Sequence, residues 1–156
     1  MIALRFVRLI ESHSDQLAES LLHKLETSPR TAELHRIPPH ELRERIYEVY
    51  RNLSQWLLDK TVEDIDRVYT ELGRRRSEQG VPLGTFCWAL MMTRENLWDF
   101  LEVQGIRENP IQMLGGFELL RLLEQFFDRA VYYSIQGYEA HRSQKEVEST
   151  VTLFRA

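Results

Sequence analysis

The stretch PIQMLGGFELLRLLEQFFDRAVYYSIQGYEAHRSQKEVESTVT, residues 110–152, decides the fold. Asn109 and Pro110 supply a cap and a first-turn residue, and no proline follows to interrupt the hydrogen-bond ladder. At ~1.5 Å per residue the helix is on the order of 60 Å long, more than the core of one small domain needs. Gly115 and Gly116 near its start predict close helix packing or a bend.

From Phe117 to Tyr138 the apolar surface is broad; beyond Tyr138 the chain turns polar. A thin seam nevertheless continues through Leu119, Leu123, Phe126, Ala130, Tyr133, Gly137, Ala140, Gln144, Val147, Val151 and Phe154, at spacings of four and three. That is heptad phase, and it predicts a helix that leaves its bundle and pairs with its copy. Leu119, Leu123, Phe126, Ala130, Tyr133, Val147 and Val151 are therefore the expected dimer and output residues. Residues 1–138 are expected to form the helical body, and residues 139–156 a polar helical extension or linker to an output domain.

Upstream, helical periodicity recurs and strand-like alternation does not. Predicted helices span about Ala3–Glu26, His40–Leu58, a third from Thr61, and Pro82–Gln104. Thr61 and Asp64 have capping-box spacing, and Gly80 supplies a stop. The run from Phe86 to Met92 is apolar all round, which suits the middle of a bundle or a partner surface. The fold class is all-α, a helical bundle of about five helices with a long C-terminal helix.

The 156 residues suit one domain, and 43% hydrophobic against 28% charged residues suits a packed core rather than a disordered chain. A net charge of −4 argues against nucleic-acid binding, which needs a broad basic surface. The single cysteine, Cys87, permits no internal disulfide, and no apolar run is long enough to span a bilayer. A cytoplasmic location and no membrane contact are the expectation.

Chemistry-bearing residues are few. His13 lies on an apolar stripe and is a weak candidate haem ligand, although such a histidine is more often a hydrogen-bonded core residue. His141, on the polar extension, is expected to be solvated. Arg74, Arg75 and Arg76 form the densest basic cluster, a candidate anion or partner patch, with Glu71 and Glu78 as local partners. Cys87, Trp88, Met91 and Trp98 are a candidate lining for an apolar ligand pocket, against the simpler reading of ordinary core. Arg94, in the most apolar helix, needs a carboxylate such as Glu95, Asp99 or one on a neighbouring helix. No nucleophile motif, metal-ligand spacing or phosphate loop is present, so no catalytic residue, metal or cofactor is assigned.

The most distinctive residues are Arg74-Arg-Arg-Ser-Glu-Gln-Gly-Val-Pro-Leu-Gly-Thr-Phe86 and Met92-Thr-Arg-Glu-Asn-Leu-Trp98. This pattern resembles the N-terminal domain of RsbRD-type proteins, co-antagonists in the bacterial general stress response. The resemblance spans most of residues 10–140. It implies a non-enzymatic sensory or regulatory input module with a globin-like helical fold lacking haem, acting as a homodimer. It also implies an output domain, of STAS or histidine-kinase type, or a downstream partner protein; these 156 residues do not include one. The main alternative is a haem- or small-ligand-binding globin-like sensor, with a helical adaptor and an enzyme of unknown type as further rivals.

Overall fold

One helix, α6, runs unbroken from Pro110 to Arg155, and the rest of the chain packs around its first two-thirds. The computed structural model describes residues 2–106 and 108–155. Met1 and Ala156, the outer ends of the expected body and extension, lie outside the described residues, as does Arg107. Before α6 come α1 (Ala3–Ser12), α2 (Ser14–Thr27), a 3-10 helix (Pro29–Arg36), α3 (Pro39–Arg51), a π-helical turn (Gln55–Asp59), α4 (Val62–Glu78) and α5 (Leu83–Val103). No strand occurs among the described residues.

The expected signals act where they were read. Thr61 and Asp64 form both halves of a capping box at the start of α4. Gly80, at φ 73°, ends the α4 segment, and Pro82 caps α5. Asn109 accepts the Gln112 N–H at 2.9 Å and opens α6. Gly115 and Gly116 bring close packing: a Cβ at Gly115 would run into Ile2 and Phe6.

Three elements depart from the periodicity. The helix expected over Ala3–Glu26 breaks at His13, where φ is −112° and ψ 21°. There Ser12 Oγ and His13 Nδ1 both bond the Leu9 carbonyl, competing with the backbone ladder. The helix expected over His40–Leu58 ends at Arg51 for a similar reason, since the Asn52 side chain donates to the Glu48 carbonyl. The π turn after it swings Trp56 inward. The segment before Pro38, lying between the first two expected helices, carries the 3-10 helix that Pro29 begins.

Trp56, Tyr69 and Phe127 surround Phe126 at ring distances of 5.4, 5.7 and 5.0 Å. Leu119 and Leu123 are fully buried, and each contributes roughly 1.5–3 kcal/mol through removal from water. Helix α5 is more one-sided than its composition suggests. Phe86, Ala89, Leu97 and Phe100 are buried, Met91 is exposed, and Cys87, Trp88 and Leu90 are half-buried. Its neighbours cover one face and leave the other open.

Candidate functional site

The place where body and extension meet is the root of the exposed part of α6, around residues 134–141. Two matching four-residue patterns cross there: Thr70-x-x-Gly73 on α4 and Ser134-x-x-Gly137 on α6. A Cβ on Gly73 would overlap the Ser134 carbonyl, and one on Gly137 would overlap the Thr70 carbonyl. Each glycine thus lets the other helix's backbone approach, as small residues do at close helix crossings. One turn further, His141 Nδ1 meets Ser77 Oγ at 2.9 Å. Successive contacts therefore climb both helices together, and α4 and α6 run in the same direction here.

The same root is tied to the turn between α4 and α5. The Tyr138 hydroxyl donates to the Val81 carbonyl at 2.6 Å, and both residues are buried. Just before that turn, Arg76 is only 2% exposed. Its Nη1 donates to Glu41 at 2.9 Å and to the Gln79 side-chain oxygen at 2.7 Å. Glu41, at the start of α3, also accepts from Arg75 at 3.3 Å and from Gln79 Nε2 at 3.0 Å. Burial alone would raise the Glu41 carboxyl, but hydrogen bonds from Arg75 and Arg76 outweigh it and hold the group below the ordinary value. Burial pushes Arg76 the other way, opposed by Glu41; a guanidinium stays charged throughout. The arrangement is a structural lock: a charge with its partners supplied, clamping α3, α4 and the turn.

Of the sequence-predicted residues, the arginine cluster is the most changed by the structure. Arg74 bonds Glu71 and Glu78, Arg75 bonds Glu41, and Arg76 is buried, so the three cations face carboxylates of the chain itself. Leu119, Leu123, Phe126 and Ala130 are core residues of the chain's own body, and Tyr133 is half-buried against it. Val147 and Val151 are exposed. His13 donates from Nδ1 to the Leu9 carbonyl and packs on Phe100 at 5.3 Å. His141, expected in solvent, is half-buried, because α6 stays alongside α4 for a turn beyond Tyr138. Arg94 reaches Asp128 on α6 at 3.6 Å.

The candidate pocket residues separate. Trp88 lies under the Arg30 guanidinium at 4.5 Å. Burial raises the half-buried Cys87 thiol above its ordinary value. Trp98 lines a cavity of about 200 Å³ with Ile106, Met113, Gly116, Phe117 and Leu120. A larger cavity of about 360 Å³ lies elsewhere, between α2, the 3-10 helix and α3, over Leu22, Leu25, Leu34, Ile37 and Leu42.

Sequence reasoning passed over Glu41, Gln79, Gly73 and Asn96. Asn96 is buried and donates to the Leu17 carbonyl at 3.0 Å and to Tyr50 Oη at 3.2 Å, while Lys24 donates to it at 2.8 Å. Tyr50 in turn donates to the Thr93 carbonyl at 2.9 Å, and burial raises its phenol well above the ordinary value. Asn96 sits in the Met92–Trp98 motif, and the available signal was a polar residue at a core position of an apolar helix.

The helical body packs along the first two-thirds of one long helix, and its buried polar contacts are spent on scaffold. The family described as RsbT co-antagonist protein RsbRD N-terminal domain matches residues 6–149, and the chain belongs to it. It is a family of stress-response signalling input domains, not a known enzyme family. No curated protein and no solved structure matches the chain. No helix among the described residues is long and apolar enough to cross a membrane.

Proposed function

We propose that the chain is a non-enzymatic sensory or protein-interaction input module of a bacterial stress-response protein. It works as a homodimer in the cytoplasm and passes changes in body packing outward along α6. One observation carries this reading. A single continuous helix is buried as far as Tyr138 and, apart from half-buried His141, exposed from there to Arg155. Body and extension therefore share one stiff element. Close-packed cores switch between discrete arrangements rather than deforming smoothly, so a shift at the Gly73–Ser134 crossing would move the whole rod.

The extension also supports pairing. An isolated helix as short as residues 139–155 is marginal in water, and this one carries Val147, Val151, Leu153 and Phe154 exposed. Burial against a second subunit would stabilise it. The family's name links its members to antagonism of RsbT, so the partner proposed is a signalling domain or protein of that response. Light scattering on the whole chain and on a chain cut after Tyr138 tests the reading. The whole chain should weigh twice its 18.6 kDa and the cut chain should dissociate. A whole chain that stays monomeric at high concentration refutes it.

A second reading, a small-ligand sensor, is favoured by the cavity over Leu22, Leu25, Leu34, Ile37 and Leu42. Its volume, about 360 Å³, lies in the range of small-molecule sites. Medium-chain fatty acids should then raise the melting temperature, and Leu34→Trp should abolish the rise. No rise with any chain length removes this reading.

A further inference from the structure

The cavity of about 360 Å³ between α2, the 3-10 helix and α3 is apolar inside, apart from Thr31. Leu22, Leu25, Leu34 and Ile37 are buried beneath it, and Leu42 is half-buried. The Thr31 hydroxyl donates to the Leu25 carbonyl at 2.6 Å, so its proton is not free for a ligand. Three polar side chains stand exposed at the rim: Glu26, His35 and Arg43. Such a lining suits an apolar chain with one polar end. Arg43 is the fixed cation among them, and its planar fork matches a carboxylate. Its present partner is Glu19, in an exposed ion pair that contributes little to stability. Glu19 also accepts from the Tyr47 hydroxyl at 2.9 Å, so it keeps a donor when Arg43 turns to a ligand. Glu26, on the same rim, disfavours a second negative charge on that ligand.

We propose that this cavity binds an aliphatic monocarboxylate, with the carboxylate on Arg43, and that occupancy is coupled through Glu41 to the root of the exposed part of α6. The inference rests on the small-ligand reading above and adds the ligand's charge and the route by which it acts.

The route is a contiguous set of contacts. Pro39 and Leu42, in the first turn of α3, line the cavity. Glu41 lies between them in that turn and bonds Arg75, Arg76 and Gln79 at the end of α4. The Arg76 carbonyl accepts the Val81 N–H at 3.1 Å, and the Val81 carbonyl accepts the Tyr138 hydroxyl of α6 at 2.6 Å. The 3-10 helix, which supplies Leu34 and His35 to the cavity, reaches the same turn. Arg36 Nη1, at its end, lies 3.0 Å from where a Cβ on Gly80 would stand. Coupling between separated sites travels through such linked hydrogen bonds and packed elements. The cavity stands open while the Glu41 lock is closed, so a ligand that fills it favours the locked arrangement. By linkage an intact lock favours the ligand to the same degree. Occupancy would thus tighten the hold of the body on the root of α6.

Isothermal titration of octanoate into the full chain, below the micelle-forming concentration, tests this, with octanol and octanedioate as comparison ligands. Octanoate should bind most tightly of the three, and Arg43→Gln should weaken octanoate while leaving octanol unchanged. Neither Glu41 nor Tyr138 lines the cavity. Glu41→Gln and Tyr138→Phe should nevertheless each weaken octanoate by at least about fivefold. Thr61→Ala removes the cap at the far end of α4, so it controls for lost stability and should bind as wild type does. Circular dichroism checks that each variant is folded at the titration temperature, and Tyr138→Phe carries the test if Glu41→Gln is not. Unchanged or tighter binding in Glu41→Gln and Tyr138→Phe, or equal weakening in Thr61→Ala, overturns the coupling. Octanol or octanedioate binding as tightly as octanoate overturns the assignment of charge. Each of these results leaves the small-ligand reading standing, whereas no binding of any of the three removes that reading together with the proposal.

Discussion

Replacing Gly137 by Ala adds one methyl group at the tightest point between α4 and α6. The new Cβ would lie 2.7 Å from the Thr70 carbonyl carbon and 3.0 Å from its Cα, with the carbonyl oxygen closer still. These are backbone atoms, so no rotamer change relieves the overlap and the helices must part. Two effects oppose each other. Alanine favours a helix over glycine by about 1 kcal/mol, whereas overpacking costs about 1–3 kcal/mol or more. Parting the helices also strains the Tyr138 bond to Val81, worth about 1 kcal/mol. The net loss is about 1–3 kcal/mol, a fall in melting temperature of roughly 2–12 °C for a chain of this size. Gly84→Ala is the matched control, since nothing lies within 4 Å of its added methyl group. It should be neutral or stabilising by up to about 1 kcal/mol. Thermal and urea unfolding followed by circular dichroism measure both variants. If Gly137→Ala matches Gly84→Ala or exceeds wild type, α4 and α6 do not touch as described.

Glu41→Ala leaves the buried Arg76 with only Gln79, and should cost about 3 kcal/mol in urea unfolding; Arg74→Ala, on the surface, should leave the melting temperature unchanged. The Glu41 carboxyl is held below its ordinary 4.5, so its contribution is complete above that pH and is lost as pH falls through the lower folded value. The acid limb of stability against pH should therefore be shallower in Glu41→Gln, and an identical limb would remove the lock. Leu123→Ala and Phe126→Ala should each lose roughly 2–5 kcal/mol, since both side chains are buried. Asn96→Ala should lose about 1–3 kcal/mol by leaving the Leu17 carbonyl unpaired, and a neutral result would show water in its place.

Which features were legible follows from their range. Caps and stops are local, and Thr61, Gly80 and Asn109 act within a turn of their own positions. The sequence turns polar after Tyr138, and the side chains of α6 beyond it are exposed apart from half-buried His141. The break at His13 was not legible, since side chains competing for the Leu9 carbonyl leave the apolar spacing intact. Arg74, Arg75 and Arg76 look alike in sequence, yet successive helical residues point about 100° apart and only Arg76 turns inward. Its partner Glu41 lies 35 residues upstream, beyond any local pattern. Leu119, Leu123, Phe126 and Ala130, expected as dimer and output residues from their heptad phase, are buried in the chain's own body. Spacing alone does not distinguish a chain's own core from that of a second copy.

Amide hydrogen exchange across residues 139–155, measured over a range of protein concentrations, tests the central claim most directly. If the outer part of α6 is a paired rod continuous with the body, its amides exchange slowly and become better protected as concentration rises. Exchange at the rate of an unstructured peptide, unchanged by concentration, would contradict the account.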